Sequence, residues 1–277
     1  MSVTSATRIF ALLGDPVAHS RSPLMQNAAL AAADKDGVYV ALRCDEASFP
    51  HMLRGIALAG GGGNVTLPHK ERAARVVDEG TEDVRRTGAC NTFWLEDGRI
   101  CGDNTDVEGF RRALDLSFPG SRVGWRVLLL GAGGAARAVL VALLDEGVEH
   151  VALLNRTVER ARSVSRRIGG ERVRVVESVE SLARERFDLV VNSTSLGLGA
   201  SDARPLDLRQ VGEVGAVFDL LYGRDTALLR DARAAGLPSA DGSAMLLHQG
   251  AVAFERWWGE PAPVEAMERA LGLPAPA

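Results

Sequence analysis

The stretch that most constrains this chain is Val127-Leu-Leu-Leu-Gly131-Ala-Gly133-Gly134-Ala-Ala136-Arg137, which reads as a short apolar strand, a glycine turn and the opening of a helix. Gly131 suits a tight turn, Gly133 lets a pyrophosphate approach the backbone, and Ala136 fills the third small position, where helix meets strand. A helix starting there offers free amides and the positive end of its dipole to phosphate. Gly131, Ala132, Gly133, Gly134 and Ala135 are therefore candidates for holding a nucleotide, although a tight strand-to-helix turn without a ligand would use the same residues.

Short strand-like runs alternate with helical patterns along nearly the whole chain, which predicts an α/β fold with a mostly parallel sheet. In the first half the strand candidates are Arg8 to Gly14, Val38 to Cys44 and Asn64 to Thr66. Helices are expected near Pro23 to Ala33, Ser48 to Leu58 and Lys70 to Val77, and a hairpin over Ala89 to Ile100 turning at Asp97-Gly98. In the second half strands are expected near Val127 to Leu130, Val151 to Leu154, Leu189 to Asn192 and Val217 to Leu220, with a helix between each pair. Ser243 to Trp258 and Pro263 to Leu271 read as two further helices, too apolar on one face to stand alone. The terminal Pro-Ala-Pro-Ala reads as a frayed tail.

At 277 residues the chain is long for one core, so two domains are expected. A net charge of −4, with no block of five like charges, argues against general binding to nucleic acid or an anionic membrane. No apolar run approaches 18 residues and no charged-then-apolar leader is present, so a cytoplasmic protein is expected. Cys44, Cys90 and Cys101 are odd in number and lack C-x-x-C spacing, which fits reduced thiols rather than a disulfide framework or a zinc site.

The second strand of the glycine-turn region ends in Asn155-Arg156-Thr157, followed by Arg160, where an NAD binder would carry a carboxylate for the ribose. Arginine there can pair with a 2′-phosphate, which points to NADP. Solvated surface arginines would look the same, and Thr157 also suits a helix N-cap.

Of 32 Lys plus Arg, lysine stands only at 35 and 70. Lys70 closes the run Gly-Gly-Gly-Gly-Asn-Val-Thr-Leu-Pro-His-Lys at 60–70, whose glycines are expected to let the backbone come close to a ligand. Unlike arginine, lysine can release a proton near neutrality once desolvated, so Lys70 is either a proton-exchanging or point-donor group or a first-turn surface lysine. His69 competes for that role or faces solvent. Asp106, in Gly102-Asp-Asn104-Thr105-Asp106, reads as an N-cap for the next helix or as a partner for lysine. Ser22 followed by Pro23 reads as an N-cap and first-turn proline, which leaves Ser20 the less explained hydroxyl. Asn91-Thr92, Asn192 to Ser195, Tyr222 and Gln249 are polar residues in apolar settings.

Taken together these motifs resemble the shikimate dehydrogenase family from about residue 9 to 259. The matching pieces are Gly-Asp-Pro-Val-Ala-His-Ser-Arg-Ser-Pro at 14–23, Asn-Val-Thr-Leu-Pro-His-Lys at 64–70, Gly-Ala-Cys-Asn-Thr at 88–92 and Asn-Thr-Asp at 104–106. They continue with Gly-Ala-Gly-Gly-Ala at 131–135, Asn-Arg-Thr at 155–157, Asn-Ser-Thr-Ser at 192–195 and Met-Leu-Leu-His-Gln at 245–249.

The resemblance implies a substrate-binding and catalytic domain at 1–107, with 243–277 packing back on it, an NADP-binding Rossmann domain at 108–242, and an active site in the cleft between. It implies NADPH-dependent reversible reduction of 3-dehydroshikimate to shikimate in chorismate and aromatic amino acid biosynthesis, with no metal. Carried over by position, Ser20 and Ser22 would bind the substrate carboxylate with help from Tyr222. Thr66, Lys70, Asn91, Asp106 and Gln249 would hold its hydroxyl and keto oxygens, with Lys70 and Asp106 as the catalytic pair. Thr194, Ser195, Leu220 and Gly242 would join Gly131 to Ala135, Asn155, Arg156, Thr157 and Arg160 around NADP. The small-molecule substrate would be the main partner, and the assembly is left open as far as a homodimer.

Departures from the family pattern are Gln26 for histidine, Leu30 for phenylalanine, Leu198 for methionine and Gly223-Arg224 where Asn-Pro usually follows tyrosine. Alternatives are a quinate or aminoshikimate dehydrogenase of the same family, or a catalytically silent NADP-binding module. A short-chain dehydrogenase is disfavoured, since neither Tyr39 nor Tyr222 has lysine four residues on.

Overall fold

The computed structural model describes residues 3–197 and 203–273, so Leu198 and the terminal Pro-Ala-Pro-Ala lie outside the described residues. Two compact units emerge, Met1–Gly109 with Leu246–Ala277, and Phe110–Met245. The divisions fall inside helices.

The first unit runs β1 (Arg8–Gly14), α1 (Ser22–Ala32), β2 (Gly37–Arg43), α2 (Phe49–Leu58), β3 (Gly62–Val65), α3 (Lys70–Val76), β4 (Glu79–Gly80), α4 (Glu82–Thr87), β5 (Thr92–Glu96), β6 (Arg99–Asp103) and the start of α5 (Asp106–Ser117). Its six-stranded sheet has the order β2-β1-β3-β5-β6-β4. The β1–β2 and β1–β3 pairs are parallel, whereas β5 runs antiparallel to both β3 and β6, as the predicted hairpin requires.

Alternation along β1 explains how one strand serves two cores. Phe10 and Leu12 join one apolar cluster, while Ala11 and Leu13 join the other. Burying a Phe or Leu side chain of this kind stabilises by about 1.5–3 kcal/mol.

The last two helices supply much of the first cluster: α9 (Ser243–Trp258) gives Leu247, Phe254 and Trp257, and α10 (Val264–Leu271) gives Met267 and Leu271. Polar ties fix them further. Arg256 Nε donates to Asp103 Oδ2 at 2.9 Å, Trp257 Nε1 to the Phe93 carbonyl at 3.2 Å, and an Arg21 guanidinium nitrogen to the Leu271 carbonyl at the end of α10 at 2.7 Å.

Gly62 and Gly63, the last two glycines before Asn64, have a different reason from the one expected. A Cβ on Gly63 would lie 2.0 Å from the Ala11 carbonyl oxygen, and one on Gly62 2.7 Å from that of Phe93. They permit close packing inside the sheet rather than the approach of a ligand.

The second unit continues with β7 (Arg126–Leu130), α6 (Gly134–Asp145), β8 (His150–Leu154), α7 (Val158–Val164), β9 (Val173–Val176), β10 (Arg186–Phe187), β11 (Leu189–Asn192), β12 (Glu213–Val214), β13 (Val217–Asp219), α8 (Ala227–Ala234) and β14 (Ser239–Asp241). Six strands form one sheet in the order β14-β13-β11-β7-β8-β9, with every pair parallel, and β10 pairs separately with β12. Numbered within this sheet, the order is 3-2-1-4-5-6, the doubly wound dinucleotide arrangement, with its reversal between β7 and β11.

The sequence reading missed both edge strands. β9 is interrupted by Arg174 and β14 is only Ser-Ala-Asp, so neither carries the apolar run that marks an interior strand. It also expected a helix between β11 and β13. Among the described residues that connection holds only a single 3-10 turn, Leu208–Gln210, and β12.

Candidate active site

Lys70 is the first residue of α3, which follows the turn after β3, and its backbone carbonyl accepts from the Cys90 amide at 2.9 Å. Asn91 lies beside it, just before β5, with its amide donating to the Asp103 carbonyl at 3.0 Å and its carbonyl accepting from Val65 at 2.8 Å. Asp106 opens α5 just beyond β6. Strand ends from three neighbouring segments thus deliver three polar groups to one place.

There the Lys70 ammonium donates to Asp106 Oδ2, and Asn91 Nδ2 donates to Oδ1 of the same carboxylate at 2.8 Å. The Lys70 and Asp106 side chains are 16% and 7% exposed, so the ion pair is largely desolvated while the ammonium keeps some access. Buried charge is tolerated when paired and hydrogen-bonded, and both conditions are met. Neither bland reading survives: Lys70 is not a surface cation, and the side chain of Asp106 is occupied by Lys70 and Asn91.

His69 is not a rival. It is 1% exposed, stacks on Phe49 at 4.5 Å between ring centroids, and its Nε2 lies 2.9 Å from the Cys44 carbonyl, so it is a packing residue.

Ser22 is the first residue of α1 rather than its cap. Its amide donates to Ser20 Oγ at 3.2 Å, so the first turn is held by the hydroxyl left unexplained by sequence. Pro23 sits in the first turn as expected. Thr66 is half-buried and its carbonyl accepts from the His69 amide at 3.0 Å, closing the turn that presents Lys70.

Gln249 on α9 is buried, with Nε2 on the Leu246 carbonyl at 2.8 Å. A Cβ on Gly109 would lie 2.6 Å from the Gln249 Cβ, so α5 and α9 touch at this point. Gln26 stands one helical turn from Ser22 and donates to the Gly250 carbonyl at 2.9 Å, joining α1 to α9 next to Gln249.

The second unit holds the other set. Gly131 has φ +107°, a conformation that L side chains resist, and a Cβ there would meet Ser193 Oγ at 2.7 Å. Gly133 is the extended residue before α6, no side chain caps that helix, and a Cβ on Gly133 would meet nothing within 4 Å. The first-turn amides of α6 therefore face a glycine-lined opening, with Ala132 buried and Gly134 and Ala135 half-buried around it, a cradle that fits a pyrophosphate.

Beyond β8, Asn155 Nδ2 donates to the Thr157 carbonyl at 2.8 Å, Thr157 precedes α7 without a side-chain cap bond, and Arg156 and Arg160 are exposed. Thr194 is held on Asn192 Oδ1 by its amide at 3.0 Å and its hydroxyl at 2.7 Å, and Ser195 is exposed. Leu220 donates its amide to the Asn192 carbonyl at 2.9 Å, and a Cβ on Gly242 would lie 2.0 Å from the Leu220 carbonyl, so these two segments press together. Tyr222 is half-buried in the loop after β13, and Gly223 beside it takes φ +68°, a conformation that glycine and asparagine adopt most readily.

Sequence reading missed Asp219, at the end of β13. It is fully buried and accepts from Asn192 Nδ2 at 2.9 Å, from the Leu221 amide at 3.2 Å and from the Thr226 hydroxyl at 2.7 Å. Burial pushes its carboxyl up from the usual value. A lone acid ending an apolar run was the available signal.

Residues 12–93 match the shikimate dehydrogenase substrate binding domain, residues 117–199 the shikimate / quinate 5-dehydrogenase family, and residues 242–271 the shikimate 5′-dehydrogenase C-terminal domain. A shikimate dehydrogenase (NADP(+)) of Methylocella silvestris is 43% identical over 258 residues, covering 92% of this chain and 91% of that protein. This chain belongs to the shikimate dehydrogenase family.

Shikimate dehydrogenase structures share the fold along its length. That of Aquifex aeolicus superimposes with TM-score 0.89 at 34% identity, covering 98% of this chain and 99% of its own. The Thermus thermophilus shikimate 5-dehydrogenase in complex with NADP(H) and shikimate gives 0.85 at 40% identity, covering 95% and 98%. Among the described residues no helix is long and apolar enough to cross a membrane.

Proposed function

We propose that this chain catalyses the reversible NADPH-dependent reduction of 3-dehydroshikimate to shikimate, the reaction that family membership supports, as a step of aromatic amino acid biosynthesis. The observation that carries the reading is the desolvated Lys70–Asp106 pair with Asn91 on the remaining carboxylate oxygen. The buried, unpaired thiols of Cys44, Cys90 and Cys101 support a cytoplasmic setting.

When bound, NADPH supplies a hydride to the carbonyl carbon. The residues of this chain manage what that transfer creates. Negative charge grows on the former carbonyl oxygen, and an ammonium fixed by Asp106 can stabilise it and pass a proton. Lys70 carries three N–H donors, so one can stay on Asp106 while others reach substrate oxygen. Asp106 and Asn91 orient that ammonium and accept or donate to neighbouring hydroxyls, joined by Thr66 and Gln249. Ser20 and Ser22, at the start of α1, supply hydroxyls and a helix amino end for the substrate carboxylate. The uncapped start of α6 would hold the pyrophosphate of NADP, and Arg156 with Arg160 its 2′-phosphate.

The test is NADP reduction by the purified protein with shikimate and with quinate, repeated with NAD. Shikimate with NADP is expected to give the highest kcat/KM. No shikimate turnover with either cofactor would overturn the reading, and faster quinate turnover would move the chain to the quinate branch of the family.

A further inference from the structure

Beneath the catalytic pair lies a run of polar side chains that composition alone would not place in a core. Tyr39 on β2, Asn64 on β3, Thr92 on β5 and Thr105 before α5 are each at most 4% exposed. Tyr39 Oη donates to Asn64 Oδ1 at 2.8 Å. Asn64 Nδ2 then has one hydrogen on Thr92 Oγ1 at 2.9 Å and the other on the Asn91 carbonyl at 3.2 Å. Turning the Asn64 amide over would set Oδ1 against that carbonyl, so its orientation is determined.

Thr92 Oγ1 accepts from Asn64, and its own proton is thereby sent onward, to Asn91 Oδ1 at 3.1 Å or Thr105 Oγ1 at 3.0 Å. Asn91 Oδ1 also accepts from the Thr105 amide at 2.8 Å and the Thr105 hydroxyl at 3.1 Å. With its oxygen so occupied, Asn91 can only present Nδ2 to Asp106. The chain is donor-to-acceptor in one direction from Tyr39 to the carboxylate, the arrangement in which successive hydrogen bonds polarise one another in a low-dielectric interior.

We infer that Tyr39, Asn64 and Thr92 are positioning residues for the reaction: a buried one-way relay of hydrogen bonds that fixes the Asn91 amide, and through it the Asp106 carboxylate that aims Lys70. The inference rests on the activity proposed above. Its specific content is that Thr92 acts on turnover through Asn91 rather than through stability of the fold.

Thr92→Val keeps the shape and deletes the relay's central hydroxyl, and Thr92→Ser restores it. Misplacing a catalytic group is costly in rate, so Thr92→Val is expected to lower kcat about tenfold per folded molecule, with KM for NADPH unchanged and Thr92→Ser within about twofold of the parent. In an Asn91→Ala background the same change should cost less than about twofold, because the residue it works through is gone. Should Thr92→Val fail to fold, Tyr39→Phe, which keeps the ring packing, decides alone, with an expected fall in kcat of about threefold. A folded Thr92→Val with the parent's kcat, a full tenfold loss persisting without Asn91, or a Tyr39→Phe at parental kcat where it stands alone would overturn the inference. Absence of shikimate turnover in the unsubstituted protein would instead strike the proposed function, and the inference would fall with it.

Discussion

Lys70 and Asp106 stand 36 residues apart in sequence, and the ammonium of one donates directly to Oδ2 of the other. The contact joins the first residue of α3 to the first residue of α5, so each helix opens with one member of the ion pair. Lys70→Ala is expected to lower kcat at least about 100-fold, the lower range for a lost general acid. Asp106 keeps the Asn91 amide but loses its counter-ion, so some stability is lost with the pair and kcat is compared per folded molecule. Steady-state assays with circular dichroism on the same sample check this, and a near-parental kcat would remove Lys70 from the chemistry.

Arg156 is exposed at the end of the second strand of the doubly wound sheet. If it pairs with the 2′-phosphate, Arg156→Ala should raise KM for NADPH about tenfold or more, the scale of a lost charge-assisted contact, while KM for 3-dehydroshikimate moves little. Affinity for NADH, which lacks that phosphate, should be nearly unaffected. An unchanged NADPH KM would return Arg156 to the solvated surface.

Gly63 faces the backbone of β1 with no room for a methyl group, since a Cβ there would sit 2.0 Å from the Ala11 carbonyl oxygen. A carbonyl inside a sheet cannot rotate aside as a side chain can, so Gly63→Ala must displace a strand. A loss of about 1–3 kcal/mol, typical of overpacking, is expected. Thermal or urea unfolding measures it, and parental stability would show that the sheet yields more easily than its spacing suggests.

The amino-acid sequence announces some of these features and hides others. β1 and α9 were legible to the residue because their apolar periodicity is strong, and Gly131 because a tight turn and a close neighbour both demand glycine. Lys70 and Asp106 stood out as residue types, one by rarity and the other by its cluster. Their pairing was legible as an option at Asp106 and as what the family resemblance implies, but not from spacing alone, because strand pairing brings the two together across intervening chain. Gly62 and Gly63 misled for a related reason: glycine reports that something comes close, and only the structure tells that the neighbour is another strand. β14 and Asp219 were hidden because a short polar edge strand and a buried acid leave no periodic trace.

Asp219 carries the remaining prediction. Burial is the main cause that pushes its carboxyl above the usual value, with nearby Asp241 adding to it, while bonds from Thr226, Leu221 and Asn192 oppose the shift. A carboxyl whose folded value is raised binds its proton more tightly in the native state than in the unfolded chain. Its contribution to stability is therefore fully present below the ordinary carboxylate range, and it is lost as pH rises through the folded value. Asp219→Asn keeps an oxygen for Asn192 and Leu221 and cannot ionise. The difference in Tm between variant and parent should therefore shift in the variant's favour as pH is raised from about 4 to about 7, by on the order of 2 °C or more. Melting curves across that range decide it: a difference that stays flat, or that moves towards the parent with rising pH, would mean that the hydrogen bonds to the carboxylate outweigh its desolvation.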